Sequence, residues 1–395
     1  MKRRIGTQAV QIAREGAVLG PAGESAHNPP LYQTTNFAYP DAAAADAAAA
    51  GGGFLYTRQG NPTTQALANA IAALEGAEAG LVFASGMAAI ASTVFALARN
   101  RDGDGEVLAS DGLYGGSIEL LRDLGPRHGV NTRFVPAWDL PAVRAAIGPR
   151  TRALLVETLS NPLLRVADIP ALGALARERG IALIVDATFT SPCLSQPLGQ
   201  GATVVVHSVS KYIGGHGDLI GGAAAGSAAI IGHIEPYSRL LGSVMDPFAA
   251  WLCLRGLRTL PLRMERHCQN AARLADVLAS LPAVRRVHFP GRDDHPDRAI
   301  ATRTLAAPGA MVSFDLADGA AARRAYDRVR IIGRAASLGE VASLLTHPAS
   351  FSHKAIPRPQ REAMGIGEGL LRLSVGIEDV ADLEADLRQA LDPAA

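Results

Sequence analysis

The stretch Val204-Val205-Val206-His207-Ser208-Val209-Ser210-Lys211-Tyr212, followed by Gly214, Gly215, His216, Gly217 and Asp218, sets the reading of the whole chain. Its apolar half is continuous, not alternating, so the strand it predicts is buried on both faces. That is the condition of a mostly parallel sheet covered by helices. Comparable runs recur at 80–84, 106–109, 133–135, 153–156, 181–185, 203–206 and 219–223. Helical segments lie between several of them. In 63–75, Leu67, Ile71 and Leu74 share one face and Gly76 stands where a C-terminal cap belongs; 169–178 is closed by Gly180. Strands alternating with helices over 61–245 give an α/β domain with a mostly parallel central sheet.

Outside that region the texture changes. Residues 1–60 lack useful periodicity: Pro29-Pro30 to Pro40 reads as extended chain, and an alanine-rich run, 42–50, precedes Gly51-Gly52-Gly53. This predicts an arm that lies on a neighbouring subunit. Beyond about 245, a long helical region at 247–281 interrupted at Pro261, strands at 284–289 and 310–316, a helix near 319–329 and a last strand at 371–375 predict a smaller C-terminal α+β domain, 246–395.

The 395 residues carry 38 Lys and Arg against 37 Asp and Glu, a net charge of +1. No broad field draws nucleic acid or an anionic membrane, so neither is expected as a partner. With 48% hydrophobic and 19% charged residues, the bulk of the chain is not disordered. Cys193, Cys253 and Cys268 cannot all pair and show no C-x-x-C spacing, which argues for a reducing compartment and against a disulfide framework or a zinc site. No metal is expected. The segment Met1 to Gly20 is basic at Lys2, Arg3 and Arg4 but has no apolar run, so no secretory signal is read and a cytoplasmic location is expected. The uncharged stretch 81–98 breaks at Ser85-Gly86 into a strand-like and a helix-like half, and is not read as a membrane span.

In open parallel sheets, ligands bind beyond the carboxyl ends of the strands, so those residues are the ones to read for chemistry. Lys211 follows one strand. A lysine there ordinarily points to water, but held against an apolar wall it loses its proton readily and becomes a nucleophile toward a carbonyl, the property of a Schiff-base lysine. Asp186 ends another strand, where an aspartate alone is more often a turn or cap residue. Together the two suit pyridoxal phosphate, which needs an amine for its aldehyde and an anion for its pyridinium nitrogen. Ser85-Gly86-Met87-Ala88 opens a helix whose free N–H groups suit a phosphate, although Ser85 also reads as an ordinary cap. Ser208 and Ser210 could add hydroxyls. Tyr114, beside Gly115 and Gly116, suits stacking on a flat ring. Arg372 lies in an otherwise apolar strand and needs an anion, either an internal carboxylate or a bound one. Neither G-x-G-x-x-G nor G-x-x-x-x-G-K-[ST] occurs, which disfavours nicotinamide and nucleoside-triphosphate chemistry.

Read in order, Tyr56-Thr57-Arg58-Gln59-Gly60-Asn61-Pro62-Thr63, Ser85-Gly86-Met87-Ala88-Ala89, Tyr114-Gly115-Gly116, Glu157 with Asn161-Pro162, Asp186, Ser208-Val209-Ser210-Lys211-Tyr212, Ser337-Leu338-Gly339 and Arg372-Leu373-Ser374-Val375-Gly376 resemble the Cys/Met-metabolism family of pyridoxal-phosphate enzymes. That family includes cystathionine γ-synthase, cystathionine γ- and β-lyases, methionine γ-lyase and O-acetylhomoserine sulfhydrylase. The resemblance spans nearly the whole chain and implies the fold-type I architecture, aspartate-aminotransferase-like. It implies that Lys211 carries the cofactor's aldehyde, Asp186 binds its ring nitrogen and Tyr114 stacks on the ring, the three forming the catalytic group. Ser85, Gly86, Met87, Ser208 and Ser210 would hold the phosphate. It further implies a homotetramer, a dimer of dimers, in which Tyr56 and Arg58 reach the neighbouring subunit's phosphate. Asn161, Ser337 and Arg372 would hold the amino-acid end of the substrate.

The implied reaction is cleavage or replacement at the γ (or β) carbon of a sulfur-containing amino acid or homoserine ester, with cystathionine γ-lyase or γ-synthase chemistry favoured. Methionine γ-lyase-like and O-acyl-homoserine sulfhydrylase activities are the alternatives. An aminotransferase or a non-catalytic binding module is more distant. Three positions depart from the relatives. Gly116 stands where methionine γ-lyases usually carry cysteine; Ala336 and Leu55 stand where cystathionine enzymes often carry glutamates that recognise a distal ammonium. Glu340, in place of a common glycine, is a possible substitute whose direction the sequence leaves open.

Overall fold

The computed structural model describes residues 3–11, 26–98 and 105–392, so most of the segment read for a signal, and residues 99 and 100 beside the uncharged run, lie outside it. Its larger sheet has seven strands: β1 Ala79–Phe83, β2 Gly105–Ser110, β3 Val130–Val135, β4 Thr151–Glu157, β5 Ala182–Asp186, β6 Val204–Ser208 and β7 Gly222–Gly226. Their order is β1-β7-β6-β5-β4-β2-β3. All neighbours run parallel except β7, which is antiparallel to both β1 and β6. The continuous apolar runs are explained by burial on both faces. In β4 and β5, Ala153, Leu155 and Ile184 face the core that contains Ile90, Val94 and Phe95 of the helix Gly86–Ala98, whereas Leu154, Val156, Leu183 and Val185 face the helix Ile169–Arg179.

The smaller sheet comprises β8 Arg286–His288, β9 Met311–Asp315, β10 Gly333–Arg334, β11 Leu344–Thr346 and β12 Leu370–Ser374, in the order β10-β11-β12-β9-β8. Its apolar side shares one continuous core with Val205 of β6 and with the 21-residue helix Leu260–Ser280. The two sheets are therefore packed around a common interior, which fixes Arg372 of β12 relative to the carboxyl ends of β4, β5 and β6. Among the described residues no helix is long and apolar enough to cross a membrane, and no group of His, Cys, Asp or Glu could hold a metal ion.

Local chemistry sets the element ends. Asn61, fully buried, accepts from Thr63 N–H at 2.9 Å and starts the helix Pro62–Glu75; Gly76 ends it in the left-handed region at φ 68°. Two expectations need correction. The seventh strand is Gly222–Gly226, not 219–223. A Gly-Ala-Ala-Ala-Gly strand has weak β propensity, but it sits where side chains have little room: a Cβ on Gly222 would lie 2.1 Å from the Ser85 carbonyl. The arm is also not uniformly irregular. Ile5–Gln11 is helical and buries Ala9 in the main core, and Ala42–Ala47 is a helix capped by Asp41, which accepts from Ala44 N–H at 2.8 Å. An alanine run has no apolar periodicity to read, only propensity and a cap.

Candidate active site

A cavity of 610 Å³ opens beyond the carboxyl ends of β4, β5 and β6 and against β12. Lys211, Asp186, Tyr114, Ser85, Gly86, Met87, Ser208, Ser210, Asn161, Ser337 and Arg372 all line it.

Asp186 ends β5 and is 8% exposed. Its Oδ1 accepts from Thr188 N–H at 2.9 Å, and the Thr188 hydroxyl accepts from Ser208 N–H at 2.8 Å, tying the ends of β5 and β6 together. Burial raises the Asp186 carboxyl; the Thr188 hydrogen bonds and the neighbouring His207 ring oppose the rise. Behind it, the His207 ring lies 2.7 Å from Glu75, both side chains fully buried.

Lys211 stands in the turn after β6, its amide donating to the Ser208 carbonyl at 3.2 Å and its Nζ to the Ser337 hydroxyl at 2.9 Å. Burial lowers the amine, the Arg372 charge lowers it further, and Glu340 acts in the opposite sense. Arg263 holds the same turn, donating to the carbonyls of Tyr212 at 2.7 Å and Ile213 at 3.2 Å. A lysine lowered in this way reaches the neutral form of a base or nucleophile more readily than a solvated one.

Arg372 is 4% exposed and its partners are neutral: Nη1 donates to Asn161 Oδ1 at 2.9 Å and Nη2 to the Ser337 carbonyl at 3.0 Å. Its Nε is buried without a hydrogen-bond partner among the described residues. Burial pulls the guanidinium down to about 10. A cation set among neutral acceptors beside a cavity can receive a carboxylate.

At the opposite end the helix Gly86–Ala98 presents its N-terminus. The Ser85 hydroxyl accepts from Ala88 N–H at 3.0 Å, the capping role that the sequence also allowed. A Cβ on Gly86 would lie 2.7 Å from Ser208 Cβ, so this helix start comes against β6 as closely as a glycine permits. Ser210 faces inward but accepts from Gly221 N–H at 2.9 Å. Tyr114 is 43% exposed; its amide donates to Glu157 Oε1 at 2.7 Å. Its ring lies over Gly116, where a Cβ would stand 2.6 Å from the ring.

The donor set fits pyridoxal phosphate. It offers a weakly basic amine for an aldehyde, a carboxylate on the next strand for a pyridine nitrogen, and a glycine-opened helix start for a phosphate. Tyr56 and Arg58 are not brought to this cavity by their own chain: Arg58 stacks on Tyr56 at 5.6 Å and donates to the Arg239 carbonyl at 3.2 Å, lining a separate hollow. Two residues gain a role that the sequence leaves unassigned, Thr188 and Glu157, and a third, Glu340, gains its direction. Thr188 fixes Asp186, a turn signalled by its spacing of two from the aspartate. Glu157 was visible only as part of a pattern. Glu340 faces the cavity, its carboxylate so close to Gly217 that a Cβ there would lie 2.1 Å from Oε2.

The family model for Cys/Met metabolism PLP-dependent enzymes matches residues 7–392. The chain is 42% identical over 372 residues to an L-methionine γ-lyase of Pseudomonas putida, covering 93% of each, and 43% identical over 368 residues to a cystathionine γ-synthase of Mycobacterium bovis, covering 92% of each. A crystal structure of cystathionine γ-synthase from Xanthomonas oryzae pv. oryzae in complex with cystathionine is similar at a TM-score of 0.92 and 38% identity, over 99% of this chain and 98% of that one. A solved structure so close in fold and sequence also carries the expected fold-type I architecture. The convergence of an amine, a carboxylate and an unpaired guanidinium on one cavity thus has its counterpart in ancestry: the chain belongs to the Cys/Met metabolism family of pyridoxal-phosphate-dependent enzymes.

Proposed function

We propose that this enzyme cleaves or replaces the γ (or β) substituent of a sulfur-containing amino acid or homoserine ester, with a cystathionine-type substrate favoured. The observation that carries the reading is Arg372, a buried cation with neutral partners that faces the same cavity as the Lys211 amine. It suits the α-carboxylate of an amino acid whose Cα then lies near the base.

When bound, pyridoxal phosphate supplies an electron sink for negative charge developing at the substrate's Cα. In this reading Lys211 Nζ would hold the aldehyde until the substrate's amine takes its place, and the amine so freed would take the Cα proton and return it further along the chain; the burial that lowers its basicity supports that role. Asp186 would keep a proton on the ring nitrogen, with Thr188 orienting the carboxylate. Gly86, Met87, Ser85, Ser208 and Ser210 would hold the phosphate. Tyr114 would cover the ring and supply a proton to the departing γ-substituent. Asn161 and Ser337 aim the Arg372 fork, and Ser337 also restrains Lys211.

Glu340 favours cystathionine among the family's substrates. Its carboxylate lines the cavity and has no hydrogen-bond or ion-pair partner among the described residues, so it can receive a distal ammonium in place of the acids absent at Ala336 and Leu55. The chain is read as one subunit of a homotetramer in the cytoplasm. Arg58 and Tyr56 lie off their own cavity, whose lining cations are Lys211 and Arg372, and so are free to complete the phosphate end of a partner's site. Leu240 and Leu241, 72% and 67% exposed, support a further buried surface in that assembly. The three free thiols fit a reducing compartment.

A substrate panel tests the reaction. Ammonia and a 2-oxo acid from cystathionine, homocysteine or methionine establish elimination. Silence on all three, with turnover of O-acyl-homoserine plus thiol, establishes replacement. Conversion of the bound cofactor to a stable amine form by an amino acid, with no thiol released, would overturn both in favour of transamination.

A further inference from the structure

Glu157 ends β4 directly beside Asp186 at the end of β5, their Cα atoms paired in the parallel register, and both side chains line the cavity. The two carboxyls are not equally provided for. Asp186 receives the Thr188 amide and lies near His207. Glu157 receives the Tyr114 amide on Oε1, and its Oε2 is buried with no hydrogen-bond partner among the described residues.

A bare carboxylate oxygen in such a place is costly, and two neighbouring buried carboxyls do not both ionise cheaply. Asp186 must be ionised to serve a pyridinium nitrogen, so the proton of the pair belongs on Glu157. The groups facing Glu157 are Asp186 from β5, Arg372 from β12 and Tyr114 from the loop after β2. Burial and then the Asp186 charge push its carboxyl well above the ordinary range; the Tyr114 amide and Arg372 only partly oppose this.

The charge state matters because of Arg372. An ionised Glu157 would give that guanidinium an internal anion within its field and compete with a bound carboxylate. A neutral one still accepts the Tyr114 amide and leaves the cation uncompensated.

We propose that Glu157 is a positioning residue working as a neutral carboxylic acid, which anchors Tyr114 and leaves Arg372 free for the substrate's α-carboxylate. This rests on the role given to Arg372 above. The sign of the pH dependence follows. With its carboxyl held high, Glu157 is neutral below its elevated titration and ionises as pH rises through it, weakening amino-acid binding on the alkaline side of that titration.

Glutamine is the mimic of the protonated acid, with a carbonyl for the Tyr114 amide and no charge. The test uses holoenzyme of wild type, E157Q and E157A, with glycine as the probe, and reads glycine affinity from the cofactor's absorbance across the pH range. Alongside, the infrared spectrum of the wild type at neutral pH is searched for a protonated-carboxyl C=O band that E157Q lacks. E157A is expected to weaken glycine about tenfold, and E157Q to restore most of that loss and abolish the additional alkaline weakening seen in the wild type. Absence of the band, the same alkaline weakening in E157Q, or a loss in E157Q as large as in E157A would overturn the proposal. If glycine and every other amino acid leave the wild-type absorbance unchanged, the functional reading fails, and the infrared band still decides the state of Glu157.

Discussion

Arg372→Leu separates what the fold needs from what the reaction needs. The guanidinium is buried, and burial, only partly offset by Tyr212, Tyr114 and Glu157, holds it at about 10, below the ordinary guanidinium value; that displacement corresponds to a penalty on the order of 3 kcal/mol. Leucine removes the penalty. It also leaves Asn161 Oδ1 and the Ser337 carbonyl without the bonds they accept at 2.9 and 3.0 Å, at a cost of about 1–3 kcal/mol each. The opposing effects largely offset each other, so stability should change by no more than about 3 kcal/mol, in keeping with the small net effect of replacing buried ions by apolar residues. Activity should respond quite differently. Two charge-assisted bonds to a substrate carboxylate, at about 1.5–3 kcal/mol each, correspond to a loss of roughly 10²–10⁴ in kcat/KM. Thermal unfolding followed by circular dichroism, together with steady-state release of 2-oxo acid or thiol, reads both effects. Arg372→Lys keeps the charge without the planar fork and should fall between wild type and R372L. A kcat/KM for R372L within about tenfold of wild type, in a protein that remains folded, would refute the assignment of Arg372 as the carboxylate receptor.

Lys211→Ala should give a folded protein that lacks the yellow colour of the covalently held cofactor and has no measurable turnover; a yellow, active K211A would remove the central residue of the reading. Gly86→Ala places a Cβ 2.7 Å from Ser208 Cβ and 3.0 Å from Ser208 Cα, where backbone must yield, so cofactor affinity measured by absorbance titration should fall at least about tenfold. Glu340→Gln should lower kcat/KM for cystathionine about tenfold more than for homocysteine, read from thiol and 2-oxo acid release; equal effects on both would rule out recognition of a distal ammonium.

The sequence made individual strand ends legible but not the distances between them. Lys211 and Asp186 could be found because each follows an apolar run, and runs buried on both faces imply a parallel sheet with chemistry at its carboxyl edge. The strand Gly222–Gly226 escapes for the converse reason: Gly222 answers to the Ser85 backbone across the gap, a tertiary demand with no hydrophobic period. The same limit governs charge states. That Glu157 and Asp186 are neighbours depends on the β4–β5 register, and that Asp186 has more donors depends on Thr188 turning back toward it. Arg372, from the other sheet, completes the trio only because both sheets share one core. An isolated reading of any of the three allows an ionised side chain. In the fold the three are not independent: with one cation, two carboxyls and unequal hydrogen bonding, the proposal puts the proton on Glu157 and the negative charge on Asp186, and leaves Arg372 in need of an anion. On that proposal a substrate's carboxylate would answer the need, and specificity for an amino acid would follow from how protons are distributed among residues that a linear reading treats one at a time.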